Sequence, residues 1–198
     1  SAIQGKRSFA LSAAEVAEYN ARGVQFPRPA VGSAAAQTLL GQFEALERRE
    51  GGRISRSTNH KPHLLLTWLA ELIRHPAIID QVECLIGPNI LCWASDFFSK
   101  SPGDGKRVTW HQDSTYWGLS KPDVVTAWIA FTPSTVESGC VRVIPGSHLM
   151  DQLPHGDTFA ADNMLSRGQE ISVEVDEDKA VDLVLQPGEM SLHHVRLI

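Results

Sequence analysis

The sequence predicts a single domain, residues 1–198, that is mainly β with flanking helices. In the first part, about residues 9–86, apolar residues recur at helical spacing. After Gly87 and Pro88 the pattern changes to short apolar runs separated by turn sequences, through about residues 87–198. Short strands at this spacing are typical of a β-sandwich or barrel, here with helices packed outside. A chain of 198 residues that is 42% hydrophobic can bury a sizeable core.

Four helices are predicted in the first part. Ser12 and Glu15 form a capping-box pattern that opens the first helix, and Gly23 can end it. The other three are predicted from Ser33, as a cap, to about Arg49, from about His63 to Arg74, and from Pro76, at the first helical position, to the residue before Gly87.

Seven strands are predicted in the second part. The candidate strands are 90–100, 108–111, 124–131, 140–144, 171–175, 181–185 and 190–198. Residues 147–169 form a long polar segment with little periodicity. Such a segment is either an active-site lid or a plain surface excursion, and the sequence leaves both open.

Charge and composition argue against several classes of partner. The net charge of -5 predicts no binding to nucleic acid or to an anionic membrane. The apolar runs fall well short of the ~20 residues that span a bilayer. The polar start, residues 1–7, does not resemble a secretory signal. Three cysteines without metal-type spacing suit a reducing cytoplasm, where we expect the protein to lie; its oligomeric state is open.

His111 and Asp113 are the strongest candidates for chemistry. On extended backbone, residues two apart place their side chains on the same side of a strand. An imidazole and a carboxylate are two of the three ligands of the 2-His-1-carboxylate triad that binds Fe(II). The alternative is a surface histidine hydrogen-bonded to a nearby carboxylate. The neighbouring aromatic residues Trp110, Tyr116 and Trp117 favour iron, because they suit a water-poor pocket.

Motifs along the chain resemble the phytanoyl-CoA dioxygenase family of Fe(II)- and 2-oxoglutarate-dependent oxygenases. The resemblance covers about residues 9–198, and its motifs occur in the family's order. They are residues 87–90 leading to Lys100, 110–113 with Tyr116, 127–130, 138–140, 143–148, 187–189 and 194–198.

The resemblance implies a double-stranded β-helix (a jelly-roll, cupin-like fold) and a set of site residues. His111 and Asp113 would bind iron. Trp128 would contact 2-oxoglutarate. The alternative is a tryptophan on a strand that packs in the core. Asp96 falls where some family members line the co-substrate site. Gln112 lies between the ligands, so it either joins the site or braces the strand from its opposite face.

The family's third iron ligand is a histidine that follows an earlier, non-ligand histidine on the same strand. His194 matches that earlier histidine, so the third ligand is expected directly after Ile198, followed by an arginine that binds 2-oxoglutarate. The C-terminal strands of the predicted fold are then absent from this sequence. The fallback is that His193 or His194 substitutes for the third ligand, with His194 preferred. We expect His148 to be structural.

The function implied by the resemblance is hydroxylation of a small organic metabolite, with Fe(II), 2-oxoglutarate and O2, and release of succinate and CO2. Related halogenases carry Ala or Gly at the position of Asp113, so the carboxylate favours hydroxylation. Two alternatives remain: a catalytically silent β-helix binding protein that has lost the distal histidine and arginine, and a cupin-type metal-dependent hydrolase or isomerase.

Overall fold

The computed structural model describes residues 9–198, except the side chain of Tyr116; the polar start, residues 1–8, lies outside the described residues. The α-helices are α1 (Ala13–Arg22), α2 (Ser33–Arg49), α3 (Arg56–Asn59), α4 (Thr67–Leu72), α5 (Pro76–Ile86) and α6 (Ser114–Trp117). The strands are β1 (Val24–Pro29), β2 (Val125–Ile129), β3 (Val141–Val143), β4 (His155–Asp157), β5 (Gln169–Ile171), β6 (Val181–Leu183) and β7 (Glu189–His194).

The helix boundaries that depend on local signals agree with the prediction. The Ser12 hydroxyl accepts the N–H of Glu15, and the Glu15 carboxylate accepts the N–H of Ser12, which completes the capping box of α1. Gly23 ends α1 in the left-handed region, with φ of 77°. Helix α5 begins at Pro76 and stops before Gly87 as predicted.

Two details of the helical part differ from the prediction. Gly32, not Ser33, is the N-cap of α2, and no side chain caps that end. The predicted helix from His63 to Arg74 is wrong in extent: Pro62–Leu64 form a 3-10 turn and α4 is only Thr67–Leu72. Leu66 interrupts the helix because its backbone is extended, with φ of -117° and ψ of 114°.

The sheets are small and antiparallel, with helices packed on one side, which confirms the predicted class at that level. The largest sheet has the strand order β1-β7-β2, while β3 pairs with β6 and β4 with β5. Met190 and Leu192 of β7 are fully buried among apolar residues from α2, α4 and α5. Because side chains alternate along a strand, Ser191 and His193 lie on the face turned away from the helices.

Several strands were predicted wrongly. Strand β1 was not predicted, because its sequence contains Pro27 and Pro29 and prolines weaken a strand signal. Residues 90–100 form no ladder with any described strand, and neither do residues 108–111, although Arg107 just before them forms an isolated bridge with Asn163. The polar segment 147–169 contains β4, which pairs with β5, so this part is not a free excursion.

Within residues 9–198, no helix has the length and apolar character needed to cross a membrane.

Gly188 joins the ends of the three strands of the largest sheet. Its carbonyl oxygen accepts the N–H groups of Ala30 and Val31, at 2.9 and 3.0 Å. Its own N–H donates to the carbonyl of Ala130 at 2.8 Å. The residue has φ of 90°, and a Cβ placed there would lie 2.5 Å from the Val31 carbonyl oxygen. Only glycine fits this junction without strain.

We therefore predict that Gly188→Ala lowers the free energy of unfolding by about 1–3 kcal/mol, the cost of a strained backbone conformation. Gly41→Ala is the matched control, because Gly41 lies in α2 with open space around its Cα. That change should raise the free energy of unfolding by about 0.5–1 kcal/mol. Urea denaturation measures both, and equal effects of the two substitutions would contradict the assigned role of Gly188.

Candidate active site

His111 and Asp113 lie side by side, as the sequence predicts. The Nε2 atom of His111 is 3.2 Å from Oδ1 of Asp113, and the side chains are only 22% and 26% exposed. The Nδ1 group of His111 donates to the carbonyl of Thr109 at 2.8 Å, which leaves Nε2 facing the carboxylate. Thr126 of β2 donates its hydroxyl proton to Oδ2 of Asp113 at 3.2 Å. The pair is thus mostly buried and is not a surface contact. We call the space around His111 and Asp113 the recess.

The donor atoms of this pair fit two neighbouring positions on one metal ion. Nitrogen and oxygen ligands bind such ions at about 2.0–2.2 Å, so two ligands at right angles have donor atoms about 3 Å apart. The observed 3.2 Å is close to that separation. The bond from His111 Nδ1 to a backbone carbonyl is the usual support for a metal-binding imidazole. In the described part of the chain, no group of three His, Cys, Asp or Glu side chains is arranged to hold a metal ion, so this pair could supply two ligands at most.

Each member of the pair stabilises the charge of the other. Burial by itself would lower the pKa of His111, but the hydrogen bond and charge of Asp113 outweigh it and raise that pKa. Burial would likewise raise the pKa of Asp113, and the hydrogen bond and charge of His111 lower it below its ordinary value. The carboxylate is therefore ionised at neutral pH, as a metal ligand must be.

The two adjacent histidines of β7 point in opposite directions. His193 lies opposite Thr126 in the sheet, on the face away from the helices. Burial lowers its pKa, while the nearby charges of Asp113 and His111 act in opposite senses. His194 lies on the other face, with its ring 5.1 Å from that of His148. Of the two residues in the fallback prediction, the fold brings His193 towards the pair and places His194, the preferred fallback, away from it.

Trp128 and Asp96 both lie towards the predicted iron ligands. Trp128 pairs with Ser191 and shares the face of Thr126, away from the helix-covered core. Partial burial raises the pKa of Asp96 to about 6; the charge of His60 opposes this shift, and that of Asp113 adds to it. The charge of Asp113 therefore acts on Asp96. The roles of Trp128 and Asp96 towards 2-oxoglutarate stay predictions.

Most of the chain matches the model of a known family. The family model described as phytanoyl-CoA dioxygenase (PhyH) matches residues 4–198. The chain belongs to this family.

The chain is also similar to individual proteins of known name or structure. Human peroxisomal phytanoyl-CoA dioxygenase is 33% identical over 138 residues, which is 65% of this chain and 40% of that protein. The chain thus spans less than half the length of this relative. A solved non-heme monooxygenase, ThoJ in its apo form, is 33% identical with a TM-score of 0.79, over 92% of this chain and 68% of that one. CytC3, solved with Fe(II) and alpha-ketoglutarate (2-oxoglutarate), is 29% identical with a TM-score of 0.65, over 95% of this chain and 69% of that one.

Gln112 braces the segment that carries the two predicted ligands. The side chain is fully buried, and its Oε1 accepts the side-chain amide of Gln152 at 2.9 Å and the N–H of Leu153 at 2.8 Å. Its Nε2 donates to the carbonyl of Arg196 at 2.8 Å. The backbone N–H of Gln112 donates to Nε2 of His155 at 2.9 Å. These contacts occupy the side chain within the protein, so they support the bracing alternative over contact with a cofactor.

Residues that no sequence motif indicates also support the site. Thr109 holds the His111 ring through its carbonyl, and its hydroxyl accepts the amide of Asn163 at 2.7 Å. Ile171 donates its N–H to the carbonyl of Trp110 at 2.9 Å. The polar segment 147–169 therefore borders the ligand-bearing residues. In the sequence, the length of this segment was the signal for such a role, because a long polar segment can be an active-site lid. Its length did not identify any contact.

His148 has the structural role that the sequence predicts. Its Nε2 donates to the carbonyl of Asn20, at the end of α1, at 3.0 Å. Its ring also lies against Gly23, where a Cβ would come within 2.5 Å of Nδ1. His148 thus anchors the turn after β3 to the end of α1.

We predict that Gln112→Ala lowers the free energy of unfolding by about 1–3 kcal/mol for each buried group left without a partner. The N–H of Leu153 loses its acceptor, so its hydrogen exchange should accelerate. Gln186→Ala is the matched control, because that side chain is exposed. Unchanged exchange at Leu153 would contradict the bracing role.

We also predict that His194 makes the protein less stable in acid. Burial, then the charges of His148 and Arg196, lower the pKa of His194 to about 4. Between its ordinary value of about 6.5 and that value, the unfolded chain takes up a proton that the folded chain does not. Stability attributable to His194 is therefore present above pH 6.5 and falls as the pH drops towards 4. Urea unfolding at pH 7 and pH 5 should show that the free energy of unfolding falls less for His194→Gln than for the wild type. Equal losses of this free energy would contradict the role of His194.

Proposed function

We propose that the protein is an Fe(II)- and 2-oxoglutarate-dependent dioxygenase that hydroxylates a small organic metabolite and releases succinate and CO2. The observation that carries the proposal is the His111–Asp113 pair, whose donor atoms are 3.2 Å apart in a recess. Membership of the PhyH family supports it, as does the likeness to CytC3, which was solved with Fe(II) and alpha-ketoglutarate.

The proposal includes a fold finer than small sheets with helices. We propose that residues 1–198 belong to one oxygenase domain whose sheets are the parts of a double-stranded β-helix. The sheet β1-β7-β2 would form one side of it, and the paired strands β3 and β6 would belong to the other. We propose that the third ligand is a histidine directly after Ile198, as the family resemblance implies.

Each residue of the proposed site has a task that its contacts support. His111 would bind iron through Nε2 and Asp113 through Oδ1, while Thr109 and Thr126 keep the two donor atoms oriented. Bound iron, with 2-oxoglutarate and O2, would supply the oxidation of a C–H bond. Trp128 would contact 2-oxoglutarate from the face of β2 that it shares with Thr126. The carboxylate of Asp113 fills the position that a halide would need, which favours hydroxylation.

Asp96 would contribute a proton-accepting group to the same recess. Because its pKa is raised to about 6, its carboxyl group can be protonated or ionised near neutral pH. The uncharged form of Asp96 would repel neither the carboxylate of Asp113 nor an anionic co-substrate. We place Asp96 at the co-substrate side of the site on these grounds.

We propose a cytoplasmic setting and a small-molecule partner on the basis of cysteine chemistry and charge. Cys84, Cys92 and Cys140 carry free thiols, which suits a reducing cytoplasm. The net charge of -5 favours a small-molecule substrate over nucleic acid or an anionic membrane as the partner.

Anaerobic titration with Fe(II), followed by 2-oxoglutarate, should give a weak visible charge-transfer band, and exposure to O2 should yield succinate. His111→Ala and Asp113→Ala should each abolish the band, because each removes a ligand. Asp178→Ala, at an exposed carboxylate, is the matched control and should leave the band unchanged. Absence of both the band and succinate across a substrate panel would reject the enzyme in favour of the silent binding protein.

A further inference from the structure

A cavity lies near the predicted iron ligands, and neither His111 nor Asp113 lines it. Its volume is about 110 Å³, and it opens between α6, residues 119–124 and the backbone just after β7. Ser114, which directly follows Asp113, forms part of the wall. The cavity therefore adjoins the carboxylate ligand without containing it.

The polar residues that line this cavity carry positive charge or hydrogen-bonding groups. They are Lys121, Arg196, Ser114, Ser120 and Gln152, with Trp117 among the apolar lining residues. None of the lining residues is acidic: the neighbouring Asp113 and Asp123 lie outside the set. In the described part of the chain, neither Lys121 nor Arg196 forms an ion pair, whereas other basic residues such as Arg28 and Arg142 do.

Hydrogen bonds hold the walls of the cavity in position. The Ser114 N–H donates to the carbonyl of Val195 at 3.0 Å, and the Val195 N–H donates to that of Val124 at 3.3 Å. The Ser114 hydroxyl donates to Oε1 of Gln152, and Gln152 is itself bonded to Gln112. Arg196 is fixed through its carbonyl, which accepts from Gln112. A binding site whose walls are already ordered loses little entropy when a ligand enters.

The size of the cavity limits what it can hold. Its volume is several times the ~30 Å³ of one water molecule and well below the ~300–1,000 Å³ of pockets for drug-sized ligands. It suits a single small group. Guanidinium and ammonium groups make charge-assisted hydrogen bonds with carboxylate and phosphate oxygens.

We propose that the cavity bounded by Lys121 and Arg196 is a binding site for one small oxyanion, either a carboxylate or a phosphate group. Arg196 is the principal contact, because it is the less exposed of the two cations and its backbone is held on both sides. Lys121 adds a second charge from the exposed rim, and Ser120 offers a hydroxyl donor.

The test is calorimetric titration of the whole protein with inorganic phosphate and, separately, acetate, at constant ionic strength set with chloride. The wild type should bind at least one of them. Arg196→Gln should weaken binding about tenfold or more, as expected for a lost charge-assisted hydrogen bond. Arg196→Lys, which keeps the charge, should restore most of the affinity. Tighter binding of phosphate than of acetate would identify a phosphate group, and the reverse order a carboxylate.

Arg48→Gln is the matched control, because that residue is an exposed arginine on α2 far along the chain from the cavity. It should leave anion binding unchanged. Lys121→Gln, at an exposed position, provides a second variant if Arg196→Gln alters the unfolding midpoint, and it should weaken binding several-fold. The proposal is overturned if the wild type binds neither anion, or if Arg48→Gln weakens binding as much as the two cavity variants do.

The site is independent of the iron proposal, and one further variant separates the two. Asp113→Ala removes an iron ligand but no residue that lines the cavity, so it should still bind the anion while losing Fe(II). Anion binding in a wild type that fails to bind iron would overturn only the iron proposal.

Discussion

The pairing of β7 between β1 and β2 is the constraint on which the rest of the structure depends. Met190 and Leu192 bury one face of this strand under the helices. The same alternation turns Ser191 and His193 towards the recess, opposite Thr126 and Trp128. A slip of one residue would expose the apolar pair and move His193 away from Asp113. The hydrophobic core therefore determines which side chains can take part in the site.

The ligand-bearing residues themselves lie outside any ladder and depend on side-chain hydrogen bonds. Thr109 and Thr126 orient the two donor atoms, and Gln112 ties the segment to residues 152–155 and to Arg196. Buried networks of this kind specify one geometry when every member has a partner. The polar segment 147–169 therefore helps to support the proposed iron site. The same network forms one wall of the cavity lined by Lys121 and Arg196.

Electrostatics divides this end of the molecule into two adjoining parts. In the recess, burial acts against both charges of the His111–Asp113 pair, and their mutual attraction offsets it. Asp96 responds to the same environment with a raised pKa. Behind Asp113, the cavity lined by Lys121 and Arg196 has cations and no carboxylate in its lining. A metal cation and an oxyanion would therefore be favoured at neighbouring but separate positions.

The sequence by itself determined the features encoded by short spacings: the ends of α1 and α5, and the proximity of His111 to Asp113. Capping, proline position and a two-residue separation act within a few residues, so local patterns suffice for them. The tertiary structure decided the pairing of the proline-containing β1, the lack of a ladder partner for residues 90–100, the burial of Gln112 and the opposite directions of His193 and His194. Those outcomes depend on which distant segments meet, and no pattern confined to one segment contains that information.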